Sequence, residues 1–140
     1  MELWELIARE QIRDTVARYN RAGDTGRFDE MVECFAPDGT LVIPGVSEHH
    51  GRDELRAYFS GVAGSARPGF THLRHCVTNV TIDLDGPDSA AVTAYFQVLT
   101  DIGLDHWGRY RDRLVPVGDR WLLAERSAKT DGYAPGSFFG

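Results

Sequence analysis

Apolar residues recur at helical spacing in the first half of the chain and at strand spacing in the second. Ile12, Val16, Tyr19 and Gly23 fall at i, i+4, i+7 and i+11, which turns one stripe of a first helix toward a core and breaks the helix at Gly23. Asp24 and Thr25 follow as capping residue types for a second helix, in which Phe28, Met31, Val32 and Phe35 repeat at i, i+3, i+4 and i+7 as far as Pro37. Asp38-Gly39 then marks a turn, Thr40 to Ile43 a short aliphatic and β-branched strand, and Pro44-Gly45 its end. A third helix is expected from about Gly51, with Leu55, Tyr58, Phe59 and Val62 on one face, and Gly61, Gly64, Pro68 and Gly69 end it.

From Phe70 onward the period shortens to two. Long strands are expected at 70–84, 89–100, 104–117 and 120–131, separated by Asp85-Gly86, Asp101-Ile102-Gly103 and Gly118-Asp119, as in a meander of hairpins. Helices followed by an antiparallel sheet predict an α+β fold, a cone-shaped barrel in which N-terminal helices pack on a curved, mainly antiparallel sheet. Alternation places Gly108, Tyr110 and Asp112 on one face of their strand, and Arg109, Arg111 and Arg113 on the other. Asp112 and Arg126 lie on neighbouring strands and read as a cross-strand ion pair, and Trp121 as a core or interface anchor. The tail at 132–140 carries Tyr133, Pro135, Phe138 and Phe139 and is expected to fold over the body or onto a neighbouring subunit.

Composition narrows the partners. With 140 residues, 42% of them hydrophobic and 26% charged, the chain reads as one globular domain over 1–140. A net charge of -6 disfavours a phosphate-tracking surface and therefore nucleic acid. No apolar stretch approaches the roughly 20 residues of a membrane span, and Met1 to Glu5 lack the basic start of a secretory signal; a cytoplasmic protein that does not engage a membrane is expected. Cys34 and Cys76 sit in apolar contexts without CxxC spacing and read as reduced, buried thiols. His49-His50 lies in an expected solvated loop with no third ligand at metal-binding spacing, so no metal is expected. The chain has neither a GxGxxG nor a GxxxxGK phosphate loop, and no cofactor is expected.

The succession of a helix broken at Asp24, then "FDEMVECFAPDGTLVIPG", "GRDELRAYF", "RHCVTNVTIDLDG", "GRYRDRLV" and "DRWLLAER", resembles the SnoaL-like branch of the nuclear transport factor two-like superfamily, from about Arg9 to Asp131. That superfamily includes polyketide cyclases, scytalone dehydratase, ketosteroid isomerase, limonene epoxide hydrolase and the noncatalytic β subunits of ring-hydroxylating dioxygenases. In the scytalone dehydratase pattern, an aspartate ends the first helix and a histidine sits on the first long strand; Asp24 and His75 match them. The resemblance therefore implies a catalytic acid/base dyad of Asp24 and His75. The phenols that scytalone dehydratase uses have no equivalent at Gly23 or Pro44-Gly45, Ile43 stands where ketosteroid isomerase carries its base, and the Asp-Arg-Asp set of the epoxide hydrolase has no convincing match, although "RYRDR" offers Arg and Asp two residues apart and leaves epoxide opening as an open alternative.

In such a dyad Asp24 orients His75, attraction favours the imidazolium, and burial opposes it. Tyr19, Tyr58, Tyr95 and Tyr110 are the candidate substrate-binding residues, with Tyr19, Tyr95 or Tyr110 expected to steady a developing oxyanion. The residues also admit plainer roles. Asp24 at a helix break can cap the next helix, and His75 can be a core histidine bonded to Asn79 or to a backbone carbonyl. His72, three residues from His75, should face the other way. The function expected is a cofactor-independent dehydratase, isomerase or cyclase acting on a small hydrophobic, polyketide-like or aromatic molecule, as a homodimer or higher homo-oligomer. The alternative is a noncatalytic ligand-binding or assembly module like the dioxygenase β subunit.

Overall fold

A computed structural model describes residues 1–140. Its elements run α1 (Leu3–Asp24), α2 (Phe28–Glu33), β1 (Phe35–Ile43), β2 (Ser47–His50), α3 (Gly51–Ser65), β3 (Arg74–Asp85), β4 (Ser89–Thr100), β5 (Gly103–Val117) and β6 (Arg120–Tyr133). The strands form one six-stranded sheet in the order β2-β1-β6-β5-β4-β3. Every pairing is antiparallel except β1 with β6, which is parallel. The sheet curves without closing, and the helices pack on its concave face, as the α+β reading expects. No helix is long and apolar enough to cross a membrane.

The helical stripe of α1 buries Ala8, Ile12, Thr15, Val16, Tyr19, Asn20 and Ala22. The helix stops because Gly26 adopts a left-handed φ of 71°, the Arg27 N–H donates to the Ala22 carbonyl at 2.8 Å and the Gly26 N–H to that of Gly23 at 3.3 Å. These two bonds satisfy end carbonyls in the Schellman manner, so the stop needs nothing from the Asp24 side chain. The concave core gathers Tyr19, Phe35, Leu41, Leu55, Phe59, Leu114 and Leu123, all at most 5% exposed. Burying each such side chain is worth about 1.5–3 kcal/mol, enough to hold short helices that would be marginal alone.

Four local readings are corrected. The second helix was expected to run through Phe35 to Pro37; α2 ends at Glu33 and Phe35 already belongs to β1. The Leu123 N–H donates to the Cys34 carbonyl at 2.8 Å and Phe35 registers with Leu123, so the sheet captures residues whose local period is helical. Pro37 is accommodated at the register shift between Phe35 and Thr40. The His49-His50 segment is strand β2 rather than loop, paired with β1 from Thr40↔His50 to Ile43↔Ser47. The first long strand begins at Arg74 rather than at residue 70, because the Asp101 carboxylate takes the Thr71 N–H at 2.7 Å and the Thr71 hydroxyl at 2.7 Å, diverting that segment from the ladder. Cys34 is buried, whereas Cys76 is exposed, because alternation along β3 turns it away from the face that holds His75.

The Asp112–Arg126 cross-strand pair is present and sealed. Arg126 donates from Nε at 2.9 Å and from Nη2 at 2.8 Å to the two carboxylate oxygens, and both side chains are 0% exposed. The guanidinium lies 4.4 Å from the Tyr19 ring centre and 3.7 Å from that of Tyr110, which joins α1 to the sheet by a desolvated cation–π stack. Gly108, Tyr110 and Asp112 do share the inner face, with Arg111 and Arg113 exposed on the outer one. Trp121 is 6% exposed and belongs to the core.

Candidate active site

The helices and the concave sheet enclose a cavity of about 510 Å³. Phe28, Met31, Leu41, Ile43, Phe59 and Phe96 supply much of its apolar wall. A cavity of this size suits a small organic molecule, and its few polar side chains set where that molecule can be gripped.

Asp24 and His75 meet in this cavity. The last turn of α1 carries Asp24, and β3 brings His75 to it. The carboxylate accepts from His75 Nδ1 at 2.5 Å through Oδ1, and from the His75 backbone N–H at 2.9 Å through Oδ2. The second bond fixes the strand to the helix end, so the first is held in line. An ionised carboxylate only accepts, so Nδ1 carries the hydrogen and Nε2 is the atom left for chemistry. Asp24 is 10% exposed and His75 23%, so the pair is screened from bulk water but open to the cavity. The capping role for Asp24 is not realised: Arg27 occupies the position before α2, and both Asp24 oxygens are committed to His75. Asn79, the other partner considered for His75, instead takes a φ of 53° at the register shift between Thr78 and Thr81.

Of the candidate phenols, Tyr19, Tyr58 and Tyr110 line the cavity. Tyr95 does not. It lies on the outer face of the sheet opposite Arg109 and is 55% exposed, because β4 turns Ala94 and Phe96 inward and Tyr95 outward. Burial pushes the Tyr19 and Tyr110 phenols up from their ordinary values despite Arg126 beside them, so both remain neutral hydroxyls. Tyr110 donates to Asn20 Oδ1 at 3.1 Å, while Asn20 Nδ2 is buried without a partner. The Tyr58 phenol is also raised by burial, and its ring packs 4.1 Å from that of His49. His72 precedes β3 rather than lying on it, so strand alternation does not apply; it is exposed at the rim of the same cavity, 3.8 Å from Asp101.

Sequence reasoning passed over a second aspartate–histidine pair on the same wall. His106 lines the cavity, and its Nδ1 lies 2.7 Å from Asp105 Oδ1. Adjacent strand residues ordinarily face opposite ways, yet both are buried, because the register shifts between Val98↔His106 and Leu99↔Leu104 and leaves Asp105 as the extra residue. Burial pushes the Asp105 carboxyl up, but donations from the Ser137 hydroxyl, the Phe138 N–H, His106 and the Thr100 hydroxyl outweigh it and hold the group at about 2. Burial lowers the His106 imidazole from its ordinary value against the pull of Asp105. The tail does fold back over the body: Phe138 packs under the Arg67 guanidinium at 4.3 Å, and Phe139 lines the cavity. The contiguous Asp105-His106 after a turn was the available signal, and strict alternation hid it. No three His, Cys, Asp or Glu side chains converge as a metal site would require.

A family model described as a SnoaL-like domain matches residues 4–127. The chain belongs to the SnoaL-like family. No curated protein sequence matches it. Among solved structures, a Catenulispora acidiphila protein in complex with S-DNPA is 29% identical, with 88% of this SnoaL-like chain and 92% of that one covered and a TM-score of 0.76. LinA is 19% identical, with 99% and 97% covered and a TM-score of 0.83. A candidate scytalone dehydratase of Novosphingobium aromaticivorans is 20% identical, with 99% and 95% covered and a TM-score of 0.81. The last two likenesses establish that the SnoaL-like chain has this fold, and the chemistry rests on the cavity itself.

Proposed function

We propose that the protein is a cofactor-independent acid/base enzyme, a dehydratase, isomerase or cyclase, acting on a small hydrophobic molecule of aromatic or polyketide-like character. The observation that carries this reading is the doubly bonded Asp24–His75 pair opening into an apolar cavity. Asp24 fixes the tautomer and orientation of His75, and His75 exchanges a proton with the substrate through Nε2. A positioned group of this kind contributes about 10²–10⁴-fold in rate. Tyr19, neutral and buried in the cavity lining, supplies a hydroxyl for a carbonyl oxygen that gains negative charge, while Tyr110 gives its proton to Asn20 and so leaves the Asn20 amide nitrogen as a second donor in the same lining. A relative captured in complex with S-DNPA and a neighbour named as a candidate scytalone dehydratase are consistent with small-molecule work in this fold.

The test uses 3-hydroxy-1-phenylpropan-1-one, an aromatic β-hydroxy ketone, with enone formation followed by absorbance and pocket shifts followed by NMR. Elimination by the parent that disappears in His75→Asn is expected. Absence of both turnover and pocket shifts with this ketone and its deoxy analogue would favour the noncatalytic binding or assembly module. The outer sheet face carries Tyr95, Trp107 and Leu104, exposed by 36–55%, beside Arg109 and Arg111, which supports a sheet-to-sheet homodimer. Sedimentation equilibrium checks it, and a monomer at all concentrations counts against it.

A further inference from the structure

Behind the α1–α2 turn lies a second concavity, a groove of about 320 Å³ that shares no lining residue with the cavity of Asp24 and His75. Arg18, Arg21, Ala22 and Thr25 fall at i, i+3, i+4 and i+7, so the end of α1 turns all four to one face. Arg27, just before α2, and Arg120, the first residue of β6, complete the lining with Glu30, Glu33 and Cys34. Four arginines from three parts of the fold therefore meet two glutamates, on a chain whose net charge is -6.

Much of that positive charge is unspent. Arg18 Nε lies 2.7 Å from Asp14, but Arg27 Nη1 is 3.8 Å from Glu30, beyond hydrogen-bond length, and neither Arg21 nor Arg120 makes an ion pair. Arg120 is half-buried, so its guanidinium is partly stripped of water. Cys34 beside it supplies no counter-charge: burial pushes its thiol up against the pull of Arg120, and the neutral S–H donates to the Glu30 carbonyl at 3.5 Å. The end carbonyls of α1, which would oppose an anion, are already occupied. That of Arg21 accepts from the Thr25 N–H at 3.1 Å and the Thr25 hydroxyl at 2.8 Å, and that of Ala22 from the Arg27 N–H at 2.8 Å.

We propose that this groove binds the phosphate group of a small molecule, gripped by Arg21 and Arg120 with Arg18 and Arg27 at its edges. A tetrahedral phosphate offers oxygens in several directions and can accept from guanidinium forks that arrive from α1, from the segment before α2 and from β6. A carboxylate presents both oxygens on one edge and suits a single fork. Glu30 and Glu33 repel further negative charge, which limits the site to one phosphate group and turns away polyphosphate chains. The site is separate from the Asp24–His75 pair and stands or falls independently of the acid/base reading.

The test is an NMR titration of the full chain with inorganic phosphate and, separately, with glycerol 3-phosphate, the ionic strength being held constant with sodium chloride. Saturating shifts are expected at the backbone amides of Arg21, Thr25, Arg27 and Arg120, with those of His75 and His106 unmoved. Saturation by both ligands assigns the site to phosphate itself, and saturation by the ester alone to an esterified phosphate. Arg21→Gln and Arg120→Gln are each expected to weaken binding at least about 10-fold, since each removes a charged hydrogen-bond donor. Glu33→Gln is exposed and removes an opposing charge, so it should tighten binding about two-fold or more whatever the arginine variants do to folding. Shifts that sodium chloride alone reproduces, or parent affinity in both arginine variants and in Glu33→Gln, would overturn the site.

Discussion

Asp24–His75 and Asp112–Arg126 both pair a carboxylate with a nitrogen side chain across the fold, one 51 residues apart in sequence and the other 14. They differ in what remains after pairing. Arg126 gives Nε and Nη2 to one carboxylate, is capped on two sides by tyrosine rings and is 0% exposed, and its remaining Nη1, buried without a partner, does not line the cavity. His75 spends one nitrogen on Asp24 and turns the other to the cavity with 23% of its side chain exposed. A closed pair is a structural joint, and an open one is a site. The nitrogen partner decides which: a guanidinium is charged at every working pH, whereas an imidazole is a side chain that can gain or lose a proton.

The contrast can be broken at either end. The largest expected effect is on stability at the sealed pair. Asp112→Ala strands a buried guanidinium and should destabilise the fold by about 3–5 kcal/mol in urea denaturation. A loss below about 1 kcal/mol would mean water reaches Arg126. Asp24→Asn, by contrast, should leave the free energy of urea unfolding within about 1 kcal/mol of the parent while lowering elimination of the β-hydroxy ketone by about 10²-fold or more, since an amide no longer enforces the Nδ1–H tautomer. Comparable losses of stability in both variants would erase the distinction.

A third, smaller effect comes from the carboxylate that the tail encloses. The folded value of Asp105 is about 2, below the ordinary 3.8, so its contribution is complete above about pH 4 and is lost as pH falls through about 2. The shift corresponds to about 2 kcal/mol. Acid unfolding of Asp105→Asn should therefore be flatter over that window than that of the parent, and an identical slope would count against the assignment. The smallest effect is expected outside the cavity: Tyr95→Ser should leave elimination unchanged and stability within about 0.5 kcal/mol of the parent. A change in rate would show that the outer face communicates with the site.

Much of this architecture is legible along the chain, and the reasons are local. The stripe from Ile12 to Tyr19, the alternation through β4 and β5, and the glycine-bearing turns all report burial on one face, which periodicity encodes directly. Asp24 and His75 were reachable because a family resemblance placed them, not because their spacing did; nothing over a separation of 51 positions states that a helix end meets a strand. Phe35 shows the opposite case. Its spacing is helical and its burial correct, yet the parallel pairing with Leu123 draws it into the sheet, since ladder bonds to a distant strand outweigh a propensity of a few tenths of a kcal/mol.

The sequence by itself determined the helix-then-sheet order, the inner and outer faces of the long strands, and the Asp112–Arg126 joint, because each follows from period or from neighbouring strands. Only the tertiary structure decided that Tyr19, Tyr58 and Tyr110 share a cavity, that Asp24 serves His75 rather than α2, and that a shift of register turns Asp105 and His106 to the same side beneath the tail. The physical reason is common to all three. A side chain's direction depends on the register and curvature of the sheet around it, and register is set by partners far away in sequence.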